Sequence, residues 1–93
     1  MLPVGLNVKL LNEIVSELRK SGLWAERHSY SIRIMYNGKF TASLHLYPGF
    51  NEAVLRLYGS RESNEAVLNA VKSLFSKYLP NYVLETTHIE VKL

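Results

Sequence analysis

Leu11, Ile14, Val15 and Leu18 stand at i, i+3, i+4 and i+7, one apolar stripe of a helix, with Lys9, Glu13, Glu17 and Lys20 on the wet side. The spacing predicts a helix capped by Asn7 and running to about Ser21. Gly22 supplies a left-handed residue to end it, and Leu23 folds back onto it. After that the apolar period falls from 3.6 to 2. Residues 23–36 read as a first strand with a bend near His28, residues 39–47 as a second and residues 52–58 as a third. Tyr47-Pro48-Gly49-Phe50 is a turn signal, with Pro and Gly where a type II turn wants them. Ser60 caps a second helix reaching about Leu79, with Glu62 and Glu65 near its positive end. Val67, Val71, Leu74, Phe75 and Tyr78 form its stripe, and Pro80 stops it. In the last strand, TTHIEVKL, Ile89, Val91 and Leu93 alternate with His88, Glu90 and Lys92. A short extra strand at residues 2–6 is a further candidate.

Asn37-Gly38 decides which strand face is buried. In a two-residue type I′ turn Tyr36 pairs with Lys39, so Ile34 shares a face with Thr41 and Ile32 with Ser43. Both apolar rows are then half polar. A three-residue loop with Gly38 left-handed moves the count by one and puts Ile34 by Phe40, Ile32 by Ala42 and Tyr30 by Leu44. A slip of one residue exposes a whole apolar set, at about 1.5–3 kcal/mol per large side chain, so the second register is predicted. The buried face is then Tyr30, Ile32, Ile34, Phe40, Ala42, Leu44, Leu46, Ala53, Leu55 and Leu57. Trp24 has the same even parity and reads as core against the first helix.

The elements come in the order α-β-β-β-α-β. Hairpin-linked strands between two amphipathic helices predict an α+β two-layer sandwich. Its sheet is mainly antiparallel, with both helices on one face and the other face open. Residues 1–93 make one domain of a size that leaves little room for an enclosed active site. The α-β-β-β-α core shares its element order with double-stranded-RNA-binding domains. Their second helix opens on a basic cluster, whereas here SRESNEAV sets one arginine against two glutamates. Only the order is shared.

Composition narrows the chemistry. The chain has no cysteine, which excludes disulfides, thiolate metal sites and thiol nucleophiles. All eight acidic residues are glutamate, and sites built on magnesium or paired carboxylates usually include an aspartate. His28, His45 and His88 have no helical i, i+4 partner and no HExxH context, so no metal is expected. No GxSxG, GxxxxGK[ST] or GxGxxG occurs, and Glu26, His28 and Ser29 do not all share a strand face. No catalytic residue and no cofactor are predicted. The N-terminus lacks the pattern of a signal peptide, and no apolar run nears the ~20 residues that cross a bilayer, so a cytoplasmic protein without membrane contact is expected.

A net charge of +3 and a pI of about 9.3 permit nucleic-acid binding. The predicted open face gathers Arg33, Lys39, His45 and Arg56, with Tyr47 and Tyr58 between them and Glu52 as its one carboxylate. Such a face can track phosphates while a tyrosine stacks on a base. The expected function is a small non-enzymatic binding module that contacts RNA or DNA through these residues. The alternative is a homo-oligomeric protein-interaction or assembly module that uses the sheet face or an edge strand. A homodimer fits either.

Overall fold

A computed structural model describes residues 7–90. Helix α1 spans Val8–Lys20 and α2 spans Arg61–Tyr78; strands β1 Trp24–His28, β2 Ser31–Tyr36, β3 Lys39–Tyr47, β4 Glu52–Leu57 and β5 Val83–His88 form one sheet in the order β1-β2-β3-β4-β5. The first three pairings are antiparallel, and β5 returns through α2 to lie parallel to β4. The fold is the predicted α+β sandwich. The candidate strand at residues 2–6 and the expected positions of Val91 and Leu93 lie outside the described residues.

The helix boundaries follow from their caps. Asn7 Oδ1 accepts from the Leu10 amide at 2.8 Å. At the other end Leu23 N–H reaches Leu18 O, and Gly22 N–H reaches Arg19 O with Gly22 at φ +89°. That double closure satisfies the last carbonyls and turns Leu23 into the core. Ser60 caps α2 by accepting from the Ser63 amide. Leu11, Ile14, Val15 and Leu18 of α1 meet Val67, Val71, Leu74 and Phe75 of α2 in one cluster with Ile32, Ile34, Ala42, Leu44, Leu55 and Leu57 of the sheet.

Residues 23–36, expected as a single strand, fold back on themselves. His28 pairs with Ser31 across a two-residue loop, and Ser29 takes φ +56°, the sign that the first loop position of a type II′ turn requires. The parity of β1 is therefore reversed. Ala25 is buried opposite Ile34, while Trp24, Glu26 and His28 face away from the helices. Trp24 is 50% exposed instead of buried against α1. One continuous strand would have carried Glu26 and His28 into the helix layer beside it. The desolvation of those groups outweighs the gain from one indole.

The β2–β3 hairpin keeps both its turn preference and its apolar pattern. Asn37 and Gly38 stand at φ +51° and +77°, the two positive values of a type I′ turn, and Tyr36 pairs with Lys39. The odd residue is absorbed one step later, by a bulge at Phe40 and Thr41 opposite the Ile34–Met35 step. Beyond it Ile34 pairs with Ala42 and Ile32 with Leu44. Eight of the ten residues expected on the buried face are there. The exceptions are Tyr30, which sits in the turn, and Phe40, which the bulge leaves 44% exposed while Thr41 takes the inward place at 2%.

The turn is testable. A Cβ on Gly38 would touch nothing within 4 Å, so Gly38→Ala probes conformation alone. It is expected to cost about 1–2 kcal/mol in urea unfolding, the penalty of a left-handed alanine. A cost near zero would exclude the type I′ geometry.

Candidate functional site

The open face carries three rows across the strands. The middle row is Glu26, Arg33, Ser43, Arg56 and Thr87, and the next is His28, Ser31, His45, Val54 and Glu85. At the hairpin end Trp24 pairs with Met35, and Met35 with Phe40. Tyr58, whose amide bonds Thr41 O, extends β4 beside them.

That hairpin end is an aromatic and cationic cluster. The rings of Phe40 and Tyr58 lie 5.1 Å apart at 37°, and the Arg33 guanidinium is 5.8 Å from the Phe40 centroid, within cation–π range. At the β1 edge the Arg19 guanidinium sits 4.2 Å over the Trp24 ring, and Trp24 Nε1–H donates to Glu26 Oε1 at 2.8 Å. Between the rows lies a shallow depression of about 390 Å³, lined by Glu26, Arg33, Phe40, Ser43 and His45 among others.

His45 holds the middle of the face. Its Nε2 is 3.3 Å from Arg56 Nη1 and 3.1 Å from Ser43 Oγ, and its Nδ1 is 3.0 Å from Ser31 Oγ. A guanidinium only donates, so Nε2 accepts and Nδ1 carries the proton toward Ser31. Burial, and next the Arg56 charge, hold the imidazole pKa below its ordinary value. His45 is therefore a neutral spacer that orients Arg56, and the permanent cations of the face are Arg33 and Arg56.

Of the six residues singled out in the sequence, Arg33, Arg56 and Tyr58 belong to the hairpin half of the open face and His45 to its centre. Lys39, expected among them, does not share this face: the two-residue turn pairs it with Tyr36, which packs on the core from the helix side. Tyr47 pairs with Glu52 at the far end. Two residues were missed. Phe40 was assigned to the core because a three-residue loop was expected, although the Asn-Gly pair taken at its usual two-residue length places it outside. Trp24 was misplaced because the loop at Ser29-Tyr30 lacks glycine and proline. The face also carries more acid than expected: β1 adds Glu26 and β5 adds Glu85 to Glu52, against Arg33 and Arg56. Glu52 and Glu85 lie toward the Tyr47 end, which leaves the aromatic end the positive one. His88, expected to point outward, stands beside Leu57 on the helix side, where it lines a recess with Arg61, Asn64, Glu65 and Leu68. The strand that carries it, β5, begins three residues before the predicted one.

No protein family, curated protein or solved structure matches this chain. Among the described residues no helix is long and apolar enough to cross a membrane.

Proposed function

We propose that this protein is a small non-enzymatic binding module that takes single-stranded RNA or DNA on the open face of its sheet. The observation that carries the reading is the Phe40–Tyr58 ring pair set beside Arg33 and Arg56. Exposed rings on a sheet offer stacking surfaces to unpaired bases, and guanidiniums one strand away reach the phosphates between them. The balance of charges on the face favours stacking over electrostatics, and hence single strands over duplex. Tyr47 contributes shape at the margin, and His45 holds Arg56 in place at the centre.

The test is a titration of the protein with single-stranded and duplex oligonucleotides at several salt concentrations. With two cations engaged, the single-strand log–log slope is expected to be about −1.4, roughly a sevenfold loss of affinity between 50 and 200 mM salt. Phe40→Ala is expected to weaken single-strand binding by about fivefold to a hundredfold, the worth of one stacked base, and to leave duplex binding unchanged. Absence of binding to any nucleic acid at about 50 mM salt overturns the proposal, as does an equal loss on both substrates.

A second reading, assembly with further copies of this chain, is favoured by one observation. Among the described residues, β5 has no strand partner on its outer side.

A further inference from the structure

The two edges of the sheet are treated differently. At β1, Arg19 reaches round from α1 and donates from Nε and Nη2 to Ala25 O at 3.0 and 2.8 Å. Ala25 is in a non-hydrogen-bonded position relative to β2, counting from the His28–Ser31 pair that closes the turn, so this carbonyl is one that a further strand would need. Charged residues Glu26 and Arg27 complete a short, blocked edge.

β5 is less protected: it carries one carboxylate, Glu85, and no arginine caps its outward carbonyls among the described residues. Val83 N–H bonds Asn51 O and Ile89 N–H bonds Leu57 O, so the odd residues of β5 point their backbone groups at β4. The even residues Leu84, Thr86 and His88 point theirs outward, and among the described residues no side chain bonds them. The strand contains no proline and no lysine. Val83 and Ile89, on the open face, are 66% and 36% exposed. The helix layer stops short of this strand, leaving Leu84 and Thr86 half-buried.

We infer that β5 pairs antiparallel with β5 of a second copy of this chain about a two-fold axis through Thr86. The inference rests on the assembly reading above and is independent of the nucleic-acid one. One register satisfies both the backbone and the side chains. With Thr86 opposite Thr86 of the other copy, Leu84 lies opposite its His88, and these are hydrogen-bonding positions on both strands. Three such pairs exchange about six backbone hydrogen bonds. On the open face Val83 then meets Ile89 of the other copy and Glu85 meets Thr87, so two exposed apolar residues cover each other and no like charges face. Moving the axis by one residue toward the N-terminus sets Glu85 against Glu85, a like-charge pair directly across the strands. The two-fold also keeps all four helices on one side. The two open faces join into one continuous surface of ten strands, and the aromatic cluster at Phe40 and Tyr58 occurs twice on it.

Sedimentation of the full chain across a range of concentrations tests this, with variants at the axis. Wild type is expected to dimerise. Thr86→Pro removes an amide that points outward, so the β4 ladder is spared, and it is expected to weaken the dimer about tenfold or more with an unchanged circular-dichroism spectrum. Because Thr86 faces its own copy, Thr86→Glu and Thr86→Lys are both expected to dissociate the homodimer, and mixing the two is expected to restore a heterodimer. The mixing result holds even if the proline variant fails to fold. A monomeric wild type overturns the inference together with the assembly reading. A dimer that survives Thr86→Pro, or a mixture that stays monomeric while each charged variant remains folded, overturns the β5 register and leaves assembly standing by another surface.

Discussion

Exchanging Arg33 and Arg56 together for glutamate is expected to lower affinity for single-stranded nucleic acid about a hundredfold or more at 50 mM salt. The substitution changes the net charge by four units, from +3 to −1, and the whole change falls in one row of the open face on either side of Ser43. Two phosphate contacts are lost and two repulsions replace them. A matched control separates local from overall charge. Lys72→Glu with Lys77→Glu makes the same net change on exposed positions of α2, in the helix layer, and is expected to weaken binding only slightly. A second control, Arg33→Lys with Arg56→Lys, keeps the charge and is expected to retain most of the affinity. The fold is expected to survive, because Arg33 is exposed and Arg56 half-buried on the solvent side of the sheet, so the two changes cost about 1 kcal/mol together. Filter binding or fluorescence anisotropy reads the effect. Equal losses in the α2 control would mean that the sheet face is not the site.

The largest effect on stability is expected at Leu44. Its neighbours across the sheet are Ile32 on β2 and Leu55 on β4, and all three side chains are fully buried. The row lies inside the core cluster that the helices complete, so truncation leaves a cavity away from solvent. Leu44→Ala is expected to cost about 3–5 kcal/mol. A domain of this length has about 5–14 kcal/mol in all, so the loss takes a large part of it. The melting temperature is expected to fall by about 15–30 °C. Val54→Ala, next to His45 on the opposite face, provides the comparison and is expected to cost about 1 kcal/mol or less. Thermal unfolding followed by circular dichroism distinguishes them. Equal costs would mean that the faces of the sheet are assigned the wrong way round.

The two helices were legible because each writes its own boundaries. Asn7 and Ser60 cap, Gly22 and Pro80 stop, and the stripes between them recur at helical spacing. The β3–β4 register was equally legible: Leu44 lies by Leu55 and Leu46 by Ala53, as the alternation on both strands demands. The position of β5 was not. Its strand shows a weaker alternation, since Glu85, Thr86, Thr87 and His88 separate Leu84 from Ile89, and Ile89, Val91 and Leu93 look more like a strand than the residues that form one.

Parity alone identified which residues of β2, β3 and β4 are buried, because exposing a row of large apolar side chains costs more than any local turn preference returns. It could not say how the odd residue is accommodated. A longer loop and a bulge bury nearly the same residues, but they pair β2 with β3 two residues apart, Ile32 by Ala42 in the one and by Leu44 in the other, and they exchange Phe40 for Thr41 at the inward place. The tertiary structure chose the bulge, because Asn37 and Gly38 take their positive φ values at little cost and the inward position holds the small Thr41 against Gly59. The fold-back at Ser29 was likewise a tertiary decision. It lets β1 join the sheet with Ala25 inward under α1 and sends Trp24, Glu26 and His28 to the open side. By itself, then, the sequence determined the two layers, the helix stripes and the apolar side of the sheet, all of which depend on burial and local capping. The composition of the open face, with Phe40 beside Tyr58 and Glu26 and Glu85 among the arginines, was settled only when strands distant in sequence were brought side by side, because pairing partners depend on turn geometry that no single strand encodes.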